Sequence, residues 1–207
     1  MTRATWRVAA KAAVVLLVGI FVQTAFGNDM RVDGIAPDFM MLLAVCAGFV
    51  GGPGRGAAVG FAAGLLSDLF LQDTPLGLSA LAACIVGFVV GWGRTQVLTA
   101  RLAFAPVVAA AGTAVGVAIF VVIGYLMGQA QLVAPGKSWL VQVAFVEAVY
   151  SAIFALPAVM LMSWALGTEV PSPAEPVAGA SPPEVPLRRR PLAGRSRRRR
   201  RARVGVR

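Results

Sequence analysis

The chain has 207 residues, 58% hydrophobic and only 14% charged, with a mean hydropathy of +0.77, a balance foreign to water-soluble domains. Up to Thr168 there are eight Lys/Arg against six Asp/Glu; from Glu169 onward there are eleven Arg against three Glu, so a nearly neutral membrane body carries most of its +10 charge on a tail. The sequence has no histidine, which removes His-based metal ligation, Ser-His-Asp triads and histidine pH switching.

The first expected span covers residues 12–27, behind Arg3, Arg7 and Lys11. A positive start and a short apolar run also describe a signal peptide. Here the run continues through Ile20, Phe21 and Val22 toward a crossing length, which favours a retained span. Residues 28–38 form a polar connection holding Asp29, Arg31, Asp33, Pro37 and Asp38. Spans at 39–51 and 57–71 flank Gly51-Gly-Pro-Gly-Arg-Gly56, read as a tight turn because Pro53 and four glycines sustain a helix poorly. The segment from Gln72 to Pro75 turns the chain into a fourth span, 76–93, and spans at 102–127 and 139–166 follow. The expected architecture is therefore all-α: six transmembrane helices within residues 1–168, then a disordered Pro/Arg-rich cytoplasmic tail over 169–207.

Basic residues beside the span ends set the orientation. With the N-terminus in the cytoplasm, Arg3, Arg7, Lys11, Arg55, Arg94, Arg101 and the eleven tail arginines lie inside, and only Arg31 and Lys137 outside. Five spans would export the tail; six return it to the cytoplasm. The localisation that follows is a bacterial cytoplasmic membrane, crossed several times, with both termini inside.

The second and third expected spans are short for a straight crossing, which implies shelter inside a bundle. Gly48, Gly52, Gly56, Gly60 and Gly64 fall at intervals of four, a spacing that lets helix backbones approach closely. Packing within one chain is the first explanation, and a homodimer or partner-helix seam is the second.

Three acidic residues are candidate site groups. Asp68 is one turn from the end of the third span, where its carboxylate can reach outer-face water, cap the next helix, or anchor a partner. Asp73 lies in the turn itself and is expected to be solvated. Glu147 is deeper, with Tyr150 and Ser151 on its face at i+3 and i+4 and no Lys or Arg at comparable depth. It is expected to be protonated or to line a wet crevice, and an ion or proton pathway is the sharper reading. No cofactor, metal site or catalytic residue is expected. The tail suits anionic lipid or an acidic partner, and without stacking aromatics it makes a poor nucleic-acid binder.

The stretch Pro37-Asp38-Phe-Met-Met-Leu-Leu, the basic turn at Arg55, and Gly60…Gly64-Leu-Leu-Ser-Asp68-Leu-Phe…Pro75-Leu-Gly77 together resemble the bacterial rod shape-determining membrane protein MreD family. The resemblance covers roughly residues 35–92 in detail and the other spans in layout. It implies a six-helix bundle like the substrate-binding S-components of energy-coupling-factor vitamin transporters. It also implies a non-enzymatic scaffold role in cell shape and peptidoglycan synthesis, in complex with the bitopic MreC and, through it, MreB, RodA and a class B penicillin-binding protein. By position, Asp38, Arg55, Asp68, Pro75 and Gly77 correspond to recurrent residues of that family. The arginine tail departs from the short C-termini usual there. Because the implied fold is shared, a vitamin-binding transporter subunit is the alternative function, with Glu147 serving a polar pocket.

Overall fold

The computed structural model describes residues 3–27, 31, 34–71, 75–96, 102–128 and 136–168. Asp29, Asp33, Asp73, Arg101 and the tail from Glu169 onward lie outside the described residues. The described residues form six helices and no strand: α1 (Arg3–Phe26), α2 (Phe39–Gly51), α3 (Pro53–Leu71), α4 (Leu78–Gln96), α5 (Ala105–Leu126) and α6 (Lys137–Leu166), with a 3-10 turn at Leu102–Phe104 leading into α5. Among the described residues, three segments are long and apolar enough to cross a membrane: Trp6–Ala25, Leu102–Leu126 and Ser138–Leu166. Phe39–Gly51 and Leu78–Arg94 are shorter apolar helices.

The glycine-rich stretch at 51–56 is not the broad turn its composition suggested. Gly52 alone turns the chain, at φ 81°, and α3 begins at Pro53. A first helical position has no intrahelical use for an N–H, and the ring presets φ, so proline starts this helix instead of breaking it. Arg55 and Gly56 thereby sit in the first turn of α3. Other boundaries also move: α1 starts at Arg3, taking the basic residues into the helix, α4 starts at Leu78 and runs on to Gln96, taking in Arg94, α5 starts at Ala105 behind the 3-10 turn, and α6 starts at Lys137. Pro157 lies inside a continuous α6.

α3 and α4 form the most intimate pair. A Cβ placed on Gly60 would collide with the backbone of Ala83, and one on Gly64 with the backbone of Ser79. Gly56 and Gly87 meet each other's backbones directly, and Gly48 brings α2 onto the same spot on Gly87. The four-residue glycine spacing is thus used within the chain, as a seam that only glycine permits. Around it the main core gathers Met40 and Phe49 of α2 with Val159 and Met162 of α6, all fully buried.

Basic side chains collect at one end of the bundle. Lys11 Nζ sits 4.6 Å from the ring centroid of Trp164, near the last turn of α6, an α1–α6 cation–π contact. The Arg94 guanidinium donates to the Val50 carbonyl at the C-terminal end of α2, where the unpaired carbonyls favour a cation. Arg55 is exposed beside Gly51.

The opposite end is uneven. The Phe39 ring, at the start of α2, meets Phe154 edge-on with centroids 5.3 Å apart. α6 begins seventeen residues before Phe154, at Lys137, so it outruns α2 by about 25 Å along its own axis. α5 passes Met41 at Gly116 and continues to Leu126, about 15 Å further. The overhanging ends of α5 and α6 carry exposed Tyr125, Leu126, Val141 and Phe145.

Candidate functional site

Two polar arrangements stand out in an otherwise apolar bundle, and they divide the residues singled out in the sequence. The first is the α3–α4 hairpin. Asp68, in the last turn of α3, is only 2% exposed, so its carboxylate does not reach outer-face water. It accepts hydrogen bonds from the backbone N–H groups of Gly77 (2.7 Å), Ser79 (3.3 Å) and Ala80 (3.3 Å). These are amides at the start of α4, which have no partner within their own helix, and the helix dipole adds attraction for an anion. Gly77 adopts φ 97°, the left-handed region that disfavours a side chain, and the Leu78 N–H closes the turn on the Pro75 carbonyl at 3.2 Å. Asp68, Pro75 and Gly77 therefore act as one cap. Gly64 and Gly60 lie on the same helix as Asp68, one and two turns below, and fix how closely the capped helices pack. Arg55 belongs to the far end of α3 and takes no part.

The second arrangement joins three helices. Asp38 is the N-cap of α2: its Oδ1 accepts from the Met41 N–H at 2.9 Å. Gln23, from α1, accepts from the Met40 N–H through Oε1 at 3.2 Å, and its side chain also hydrogen-bonds Asp38. Burial at the head of the bundle pushes the Asp38 carboxyl above the usual carboxylate range. The Met41 and Met40 N–H groups and the Gln23 side chain pull the other way. Glu147 of α6 lies within electrostatic reach of Asp38. Nothing in the sequence signals that a second carboxyl, from the head of another helix, lies near this deeper acid.

Tyr150 and Ser151 follow Glu147 on α6 but are not equivalent. Tyr150 is half-buried. Ser151 is buried and turned toward α5, where its hydroxyl is hydrogen-bonded to that of Thr113 at 2.8 Å, while Thr113 also donates to the Ala109 carbonyl at 2.8 Å. This pair is structural. In a Thr113→Val/Ser151→Ala double-mutant cycle, unfolding in detergent should report a coupling of about 0.6–1.7 kcal/mol. A coupling of zero would remove the hydroxyl pair from the account of α5–α6 packing.

Below the carboxyl pair runs a groove between α1, α2 and α6, with a volume of about 250 Å³. Val18, Val22, Phe39, Leu42, Phe154 and Leu161 are among its apolar walls. Glu147, Phe154 and Leu161 are seven residues apart in turn and share one face of α6, so Glu147 stands above the groove, about 10 Å along the helix from Phe154. Gln23 directly follows Val22, and Asp38 directly precedes Phe39. The result is an apolar trough with two carboxyls and one amide toward the end where α2 begins.

The sequence reading missed Gln23 and the capping role of Asp38. The signal for the latter was present: Pro37-Asp38 stands immediately before an apolar run, a helix-start signature. Among the described residues, no group of three or more His, Cys, Asp or Glu could hold a metal ion. No protein-family model matches the chain, and neither a curated protein nor a solved structure matches it.

Proposed function

We propose that the chain is a non-enzymatic integral membrane scaffold of the machinery that elongates the cell and builds peptidoglycan, regulating cell shape through a complex with an MreC-like bitopic protein. MreB, RodA and a class B penicillin-binding protein would be reached through that partner. The observation that carries this reading is the hairpin. The residues that resemble the MreD pattern, Asp68, Pro75 and Gly77, are joined in a helix cap and have no free reactive group among them. They build a shape, as a scaffold requires.

In this reading all six helices cross the bacterial cytoplasmic membrane in an S-component-like bundle, with both termini cytoplasmic. The gathering of Lys11, Arg55 and Arg94 at one end supports that orientation. Contacts of α2 on several sides support a sheltered crossing for a helix of only 13 residues. The basic tail would lie on anionic lipid. A transporter subunit for a water-soluble vitamin fits less well, because such a ligand needs several convergent hydrogen-bonding groups and the groove walls are apolar.

Detergent co-purification of the full chain from its native membrane tests the proposal. Retention of an MreC-like bitopic protein is the expected result. Retention of an energy-coupling transmembrane subunit, or of a bound vitamin, would overturn it.

A further inference from the structure

The groove and the carboxyl pair above it specify the chemistry of what covers them. Among the described residues neither Asp38 nor Glu147 has an ion pair; Asp38 caps α2 beside Phe39 at the groove, and Glu147 lies on the groove-lining face of α6 within electrostatic reach of it. The surface on both sides is apolar and open: Leu17, Val18 and Phe21 of α1, and Ile153 and Met160 of α6, are all more than half exposed. A complementary occupant is therefore a long apolar body with one positive charge at a fixed height.

We propose that this groove seats a partner transmembrane helix carrying a lysine or arginine in its outer third, whose cation pairs with Asp38 and Glu147 while its apolar side chains fill the trough between α1, α2 and α6. The inference rests on the membrane-scaffold reading in taking the occupant to be a membrane helix. Glu147 lies ten residues into α6, about 15 Å below its tip, within reach of a neighbouring helix's side chain. A cation there meets two carboxyls and the Gln23 amide in a low-dielectric setting, where such contacts are strongest.

Two other occupants fit poorly. A second copy of this chain brings two more carboxyls to the site; Arg3, Arg7, Lys11, Arg55 and Arg94 of its helices lie toward the other end, and Lys137, the first residue of α6, is about 15 Å along the helix from Glu147. An aminophospholipid carries its ammonium outside its phosphate, so lowering the amine to the pair would press a phosphate against two carboxyls.

The test uses the full chain in phosphatidylcholine nanodiscs and two synthetic Leu/Ala transmembrane peptides of about 23 residues. One carries a single lysine seven residues from its outer end and the other has leucine there. Binding is followed by energy transfer from a dye on the chain to one on the peptide. The lysine peptide should bind about tenfold more tightly than the leucine peptide. The Asp38→Asn/Glu147→Gln double variant should erase that difference and leave leucine-peptide binding unchanged. Val18→Trp, which fills the trough from an exposed position, should weaken both peptides alike.

Equal affinity of the two peptides for the unaltered chain overturns the proposal. So does saturable retention of an aminophospholipid in the groove, lost in the double variant, or self-association that Val18→Trp abolishes. Circular dichroism of each variant separates lost binding from lost fold. Because the peptides are synthetic, lysine selectivity can hold while co-purification of an MreC-like protein fails, so the two readings fall separately.

Discussion

Gly60→Ala is expected to destabilise the bundle by about 2–3 kcal/mol, whereas Gly93→Ala should stabilise it by about 0.5–1 kcal/mol. The same methyl group is added to a helix in both cases, and the same relief of glycine's backbone entropy follows. The difference is what the methyl meets. At Gly60 it points into the carbonyl and carbonyl carbon of Ala83, backbone atoms of α4 that cannot rotate away. At Gly93 nothing lies within 4 Å. Admitting the methyl at Gly60 means parting α3 from α4, and Gly56, Gly64, Gly87 and Gly48 sit on the same seam, so the whole contact loosens together. Titration of the purified protein from mild detergent into dodecyl sulfate, followed by far-ultraviolet circular dichroism, reads both changes. If Gly60→Ala unfolds at the same point as the unaltered chain, close backbone packing is not what holds α3 to α4.

The seam shows how far the sequence could be read. The four-residue interval from Gly48 to Gly64 announced close helix approach, because spacing on a helix is a local property. It did not say that Gly87 of α4 would be the common partner of Gly56 and Gly48, since facing surfaces depend on rotations that no single helix encodes. The run at 51–56 misled for a different reason. Proline and glycine counts mark turns on average, but Pro53 occupies the one helical position where its missing N–H costs nothing, so a single residue, Gly52, makes the turn. The long helices were plain, because length and hydropathy alone mark Trp6–Ala25, Leu102–Leu126 and Ser138–Leu166 as able to cross a membrane.

The site was legible in the same uneven way. Asp68 could be read as a cap because Pro75 and Gly77 follow it closely enough to fix a turn. The electrostatic proximity of Asp38 and Glu147 could not be read. They are 109 residues apart, on helices whose relative height is set by the short α2 and the long α6, and by the contact of Phe39 with Phe154. Neither residue's neighbours in sequence carry that information.

Asp68→Ala should destabilise the chain by about 3 kcal/mol, because one carboxylate serves three donors. The Gly77, Ser79 and Ala80 N–H groups would lose their acceptor at once, and Leu78 and Ala80 are wholly buried, so water has no ready access as a substitute. Asp68→Asn separates geometry from charge: it keeps one acceptor oxygen and loses the attraction between an anion and the start of α4, so about half the loss is expected. Unfolding in dodecyl sulfate gives the free energies. Amide hydrogen exchange gives the location, with residues 77, 79 and 80 exchanging faster in Asp68→Ala while the far end of α4 keeps its protection. A change below about 0.5 kcal/mol would show that the cap contributes little. The same variant also distinguishes architecture from direct partner contact. If Asp68 itself bound the bitopic partner, alanine would abolish co-purification and leave unfolding unchanged. With the carboxylate committed to three backbone amides, the opposite order is expected: stability falls first, and partner binding is lost only as the hairpin loosens.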